Sequence, residues 1–171
     1  PRAIWWNYES VDSFTYGNPN PEIVGFLYQY RKYLTKIDII AQVNKVVDYV
    51  NSDFATEATM HSIQSVLHFY KRMDKDVRNV IKDKLQRIID AEIEKSIESN
   101  EAYSFEPYVV GLVDKMLLSN HLHQLDINLD DYLKKIEYGL IEPSWYWYQY
   151  DDVFEEVKHE WDGFLTFQVV R

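Results

Sequence analysis

The stretch Asp74-Lys-Asp-Val-Arg-Asn-Val-Ile-Lys-Asp-Lys-Leu-Gln-Arg-Ile-Ile-Asp-Ala-Glu-Ile-Glu-Lys-Ser-Ile-Glu98 carries Val77, Val80, Ile81, Leu85, Ile88, Ile89, Ile93 and Ile97 at three- and four-residue intervals, with Lys82, Asp83 and Arg87 between them. That is the period of a helix with one apolar stripe and a wet opposite face. Asp74 stands where a capping carboxylate belongs. The length predicts the longest element of the chain and an outer strut of a helical assembly. Five glycines and five prolines in 171 residues leave little material for turns. A β-rich fold needs many, so the class is all-α.

Upstream, Gly17-Asn-Pro-Asn-Pro21 is a dense turn signal, with Asn20 as N-cap, Pro21 at the first helical position and Glu22 behind it. A first helix is predicted from Pro21 to about Leu34, buried along Ile23, Val24, Leu27, Tyr30 and Leu34. After a break at Thr35-Lys36, Ile39, Ile40, Val43, Val46, Val47 and Val50 predict a second helix, antiparallel to the first because the link is short. Asn51-Ser-Asp53 is a turn. A third helix is predicted from about Ala55 to Arg72, with Met60, Ile63, Val66, Leu67, Tyr70 and Met73 inside and Glu57, His61, Gln64 and His68 on another face.

Downstream, Ser104-Phe-Glu-Pro107 predicts a fifth helix that buries Tyr108, Val109, Leu112, Val113, Met116 and Leu117 and holds Gly111 inside it. Residues 119–127, with His121-Leu-His123, read as a loop, and Asn128 as the cap of a short helix with Leu129, Tyr132, Leu133 and Ile136. A last helix aligns Val153, Val157 and Trp161, and Gly163 is expected to end or bend it. Helix pairs recur about every 40 residues, the spacing of stacked hairpin arrays.

We therefore expect one helical domain over residues 1–171: an irregular aromatic segment at 1–19, helical hairpins from about 20 to 138, and an aromatic loop and last helix from about 143 to 171. Two clusters, Trp5-Trp6-Asn7-Tyr8 with Phe14 and Tyr16, and Trp145-Tyr-Trp-Tyr-Gln-Tyr150, hold more apolar surface than short loops can hide. The helices between them are expected to bring the two together or to line a cavity with them. The chain opens on Pro1 without a methionine and stops at Arg171 just after the apolar run from Phe164 begins, so a piece of a longer protein is expected.

A formal net charge of −10 argues against a nucleic-acid backbone or an anionic membrane as partner, since both attract positive surface. No apolar run approaches the roughly 20 residues of a bilayer span. Without cysteine there is no disulfide framework, thiol nucleophile or cysteine-held zinc. The expectation is a soluble, cytoplasmic protein with no cofactor, and with an apolar small molecule, a second copy or the rest of its own chain as the partner.

Chemistry has few footholds. Glu156-Val-Lys-His159 is half of a carboxylate-bridged metal site, and no other histidine has a glutamate three residues before it. His121 and His123 with Asp126 could chelate from a loop, but a solvated turn is the favoured reading, and no metal is expected. Asp151 and Asp152, beside a wall of tryptophan and tyrosine, are the candidate catalytic carboxylates, because apolar surroundings keep a carboxyl protonated. Capping of the last helix is the favoured alternative. There is no nucleophile elbow and no glycine-rich phosphate loop. Trp5, Trp6, Trp145 and Trp147 are candidate ligand-binding residues, because ring faces suit apolar or cationic ligands. Ordinary core or a subunit interface is the favoured reading of the same residues.

Pro1-Arg-Ala-Ile-Trp5-Trp6, Gly17-Asn-Pro-Asn-Pro-Glu22-Ile-Val-Gly25, His61, and Glu160-Trp161-Asp162-Gly163 with Thr166, in that order, resemble bacterial proteins related to the prenyltransferase and squalene-cyclase superfamily. The resemblance implies an α/α toroid, of which three hairpins would make about half, and it adds His61 to the ligand-binding candidates. Catalysis does not carry over. Asn128-Leu-Asp130-Asp131 lacks the first aspartate of the cyclase acid motif, and the cysteine of the prenyltransferase zinc site is missing. Gly139-Leu-Ile-Glu-Pro-Ser-Trp145 keeps a tryptophan without paired glycines, and Asp162 stands where an arginine is expected. The reading is a structural, ligand-binding or partner-binding toroid-like domain without a demonstrable catalytic motif. The alternative is an isoprenoid- or terpenoid-handling enzyme or binding protein with an aromatic-lined cavity.

Overall fold

The computed structural model describes residues 16–52, 54, 58–98, 113–143 and 150–170. These form six α-helices and two short 3₁₀ turns, with no strand among the described residues. The helices are α1 (Asn20–Gln29), α2 (Ile39–Asn51), α3 (Met60–Arg72), α4 (Lys75–Glu98), α5 (Leu122–Tyr138) and α6 (Asp151–Val170). The chain falls into two compact units, Pro1–Leu85 and Gln86–Arg171.

In the first unit, six of the 13 residues of α2 are β-branched side chains that resist helix formation in isolation. Each β-branched side chain costs about 0.5 kcal/mol relative to alanine. Burying one is worth about 1.5–3 kcal/mol. Ile39, Val43, Val46 and Val50 are all buried on one face, so the stripe outweighs the propensity, while Ile40, a quarter turn away, is 54% exposed. Asp38 starts the helix by accepting the Ala41 N–H at 3.0 Å. At the start of α3, Thr59 and Ser62 form a reciprocal box: the Ser62 N–H reaches Thr59 Oγ1 at 3.2 Å and the Thr59 N–H reaches Ser62 Oγ at 2.7 Å. That box places the start at Met60, later than the predicted Ala55. Ala58 and Thr59 are not helical, and residues 55–57 lie outside the described ones.

The first helix is shorter than its periodicity suggests. It stops at Gln29, followed by a 3₁₀ turn at Arg31–Tyr33 and an extended Leu34. Its buried face is also rotated, to Pro21, Val24, Gly25 and Tyr28, leaving Ile23 48% and Tyr30 43% exposed. Arg31 folds back onto this last turn, donating from Nη1 to the Tyr28 carbonyl at 3.1 Å and lying over the Tyr28 ring at 4.2 Å. Without burial for Tyr30 and Tyr33, nothing offsets the cost of extending the helix. The helix begins at Asn20 with Pro19 at the cap position and no side-chain cap, so Asn20 is not the cap expected. Gly25 lets α1 lie close against α3: a Cβ there would come within 2.9 Å of the Phe69 Cα.

Helix α4 is the longest described and has the predicted span, with Ile81, Leu85, Ile88, Ile89 and Ile93 buried and Asp74 just ahead of it, its carbonyl accepting the Arg78 N–H. Val80, counted on the apolar stripe, is 60% exposed.

In the second unit, the predicted loop at 119–127 is largely helix. α5 runs from Leu122, so Asn128 lies inside it and caps nothing. Leu125 and Tyr132 are buried two turns apart, and their burial exceeds the few tenths of a kcal/mol, roughly, that Asn128 costs in mid-helix. Leu129 and Leu133, expected inside, are 38% and 65% exposed. Gly139 closes α5 with φ 157° and ψ −120°, backbone space that only glycine enters freely. Ahead of α5, residues 115–118 form a 3₁₀ turn begun by Asp114, with Leu117 and Leu118 buried and Met116, predicted buried, 60% exposed. The earlier part of the predicted fifth helix, including Gly111, lies outside the described residues. α6 continues through Gly163, which does not end it, and apart from its chain neighbours and the helix's own backbone no atom lies within 4 Å of where its Cβ would stand.

Candidate functional site

The candidate residues divide sharply. Trp5, Trp6, Trp145 and Trp147 lie outside the described residues. Asp151 and Asp152 form the exposed first turn of α6, where carboxylates meet the positive end of the helix. His61 is exposed on α3. On that helix His68 and Ser65 both reach Glu22 of α1: His68 Nδ1 lies 3.3 Å from Glu22 Oε1, and Ser65 Oγ accepts the Glu22 N–H at 3.1 Å. His159 and His123 are exposed, and no group of three or more metal-ligating side chains occurs among the described residues.

The polar chemistry of the second unit gathers at two other places. His121 is 8% exposed, and its Nε2 lies 3.1 Å from Asp90 Oδ1 on α4. Asn120 Nδ2 donates to the other carboxylate oxygen at 3.0 Å, and Gln86 Nε2 donates to Ser119 Oγ at 2.9 Å. His121 is therefore buried where α4 meets the start of α5, within ion-pair distance of an Asp90 oxygen that accepts no hydrogen bond, and is not the solvated turn expected of it.

The second place is the inner face of α6. Phe154 is buried, and above it Lys158 Nζ sits 3.2 Å from both oxygens of the buried Asp162 and 3.2 Å from Glu142 Oε1 in the strap after α5. Partial desolvation pulls the Lys158 ammonium down, but hydrogen bonds to Glu142 and Asp162, helped by their charge, outweigh it and leave the group above its usual range. One turn on, Thr166 Oγ1 accepts the Ile141 N–H at 2.9 Å and its hydroxyl donates to the Asp162 carbonyl at 2.7 Å. Lysine before aspartate is the weaker order for an i, i+4 pair, so Glu142 is what makes this a tertiary tie. A shallow depression of about 480 Å³ opens nearby, lined by Lys134, Lys135, Tyr138, Gly139, Leu140 and Glu142. Lys135 is paired with Asp131 at 2.6 Å and Glu142 with Lys158.

The other face of α6 differs. Val153, Phe164 and Phe167 are 48%, 50% and 59% exposed, and Val157 and Trp161, between them, are half-buried. Trp161 and Phe164 meet edge to face at 5.9 Å. Val153, Val157 and Trp161 do share a line, as the spacing predicts, but the line runs along the surface instead of through the core.

The spacing of Lys158 and Asp162 could have exposed one tie in the sequence. The Asp90–His121 pair, separated by a whole helix end and a turn, leaves no local trace. No helix among the described residues is long and apolar enough to cross a membrane. Compared with protein-family models, curated proteins and solved structures, the chain matches none.

Proposed function

We propose that this chain is a helical binding scaffold: antiparallel hairpins of the kind stacked in α/α toroids, presenting an apolar helix face to a partner and carrying no reacting centre of its own. The observation that carries the reading is the stripe from Val153 to Phe167 on α6, whose exposed valine and phenylalanines sit on a helix firmly anchored by its opposite face. Contiguous exposed apolar surface marks an interaction site more often than single exposed residues do. The buried polar groups of the second unit support the same reading, since His121 and Asp162 are engaged by side chains of the chain itself.

The test is the double variant Phe164→Ser, Phe167→Ser. If the stripe is a presented surface, far-ultraviolet circular dichroism is unchanged and Tm falls by less than about 4 °C, because exposed substitutions cost about 0.5 kcal/mol each. A fall of about 10 °C or more would make the stripe part of the core and sink the scaffold reading. The isoprenoid-handling alternative rests on Trp5, Trp6, Trp145 and Trp147, and saturable quenching of tryptophan fluorescence by farnesol in the same variant would favour it.

A further inference from the structure

We infer that the partner of the α6 face is a basic amphipathic helix of another protein; the inference rests on the scaffold reading and names the chemistry of its partner. Val153, Val157, Trp161 and Phe164 stand at i, i+4, i+8 and i+11, an apolar ridge roughly 16 Å long at 1.5 Å per residue. A helix laid along such a ridge supplies anchors at the same intervals, the helix-to-helix mode of peptide recognition. Tryptophan and phenylalanine are the side chains from which interfaces draw much of their energy.

Charge selects among occupants. The outer edge of the ridge is formed by Asp152, Glu156 and Glu160, one turn apart and all exposed, with Glu155 and His159 further round. The one lysine of α6, Lys158, is turned to the inner face and held by Glu142 and Asp162. A second copy laid on this ridge would set carboxylates near carboxylates on chains that each carry −10. An anionic membrane meets the same repulsion. A helix whose apolar stripe is flanked by lysine or arginine meets attraction along its whole length, and like-charge competitors are rejected.

The experiment is a fluorescence-anisotropy titration of the full chain with a synthetic helical peptide bearing leucines at i, i+4, i+7 and i+11 flanked by lysines, beside a control peptide with glutamates in place of the lysines. The lysine peptide is expected to bind at least about tenfold more tightly, with the difference shrinking as salt is raised. Phe164→Ser, Phe167→Ser abolishes binding, and Glu156→Lys, Glu160→Lys, which alters only exposed residues, reverses the preference. Equal affinity for both peptides would overturn the inference, as would lysine-peptide binding that survives the phenylalanine substitutions and is lost in Leu129→Ser, Leu133→Ser. Dimerisation in sedimentation velocity that the phenylalanine substitutions abolish would make the occupant a second copy and overturn it too. The two readings fail separately: unfolding of the phenylalanine variant sinks the scaffold, whereas a folded phenylalanine variant together with a parent chain that shows no peptide preference sinks only the basic partner.

Discussion

Tyr28 on α1 donates its phenolic hydrogen to Asp74 Oδ2 at 2.5 Å, 46 residues away, at the position from which α4 starts. The hydrogen bond to Asp74 raises the Tyr28 pKa above its ordinary 10.0, burial raises it further, and Arg31 pulls against both. The folded chain therefore holds this proton more tightly than the unfolded chain does. The stabilisation is complete below about pH 10 and is lost as pH rises through the folded value.

Tyr28→Phe is accordingly expected to cost about 1 kcal/mol at pH 7 in urea unfolding. The gap to the parent closes above about pH 10, where the parent loses the contribution that the variant already lacks. Tyr33, 68% exposed, supplies the control through Tyr33→Phe. Parallel curves for parent and Tyr28→Phe up to the alkaline limit would remove the tie.

Gly25→Ala tests the close approach of α1 to α3. The added methyl would meet the Phe69 Cα at 2.9 Å and the His68 carbonyl oxygen at 3.4 Å, both backbone atoms that no rotamer change can move. Overpacking of this kind costs about 1–3 kcal/mol. The alanine returns about 1 kcal/mol of helix propensity. A net loss of up to about 2 kcal/mol in denaturant midpoint analysis is expected; a stabilising alanine would mean that the helices do not pack this closely.

How much of this was legible beforehand depends on where the physics lies. α2 and α4 were readable because burial repeats along one helix, and Val43, Val46 and Val50 or Ile81, Leu85 and Ile89 announce it locally. The beginning of α5 was not, because His123, Asp126 and Asn128 are weak helix formers by propensity, and what makes them helical is the burial of Leu125 and Tyr132. The end of α1 failed the other way, since periodicity continued past Gln29 while buried partners did not. At the candidate site, the line through Val153, Val157 and Trp161 was visible, but an apolar stripe in sequence does not say which way it faces. Only Phe154, Asp162 and Thr166 on the opposite side of α6 decide that.

Gly163→Ala should shift stability in the opposite direction from Gly25→Ala. The helix continues through this position, and apart from its chain neighbours and the helix's own backbone nothing lies within 4 Å of the added Cβ. Alanine then gains helix propensity and restricts the unfolded chain, worth about 0.5–1 kcal/mol. Thermal unfolding should show a rise of a few degrees, roughly 2–4 °C. A lowered Tm would mean that α6 breaks at Gly163 after all.

Thr166 holds the strap after α5 to α6 through one hydroxyl that both accepts the Ile141 N–H and donates to the Asp162 carbonyl. Ile141 is 5% exposed, so water does not readily replace the lost acceptor. Thr166→Val keeps the shape and strands a buried donor, at a cost of about 2 kcal/mol, whereas Thr166→Ser keeps the oxygen and loses only a methyl, about 1 kcal/mol or less. Amide exchange separates the two: the Ile141 amide should exchange roughly thirtyfold faster in the valine variant and close to the parental rate in the serine variant. Equal protection of Ile141 in both variants would show that the strap is held by Glu142 and Lys158 instead.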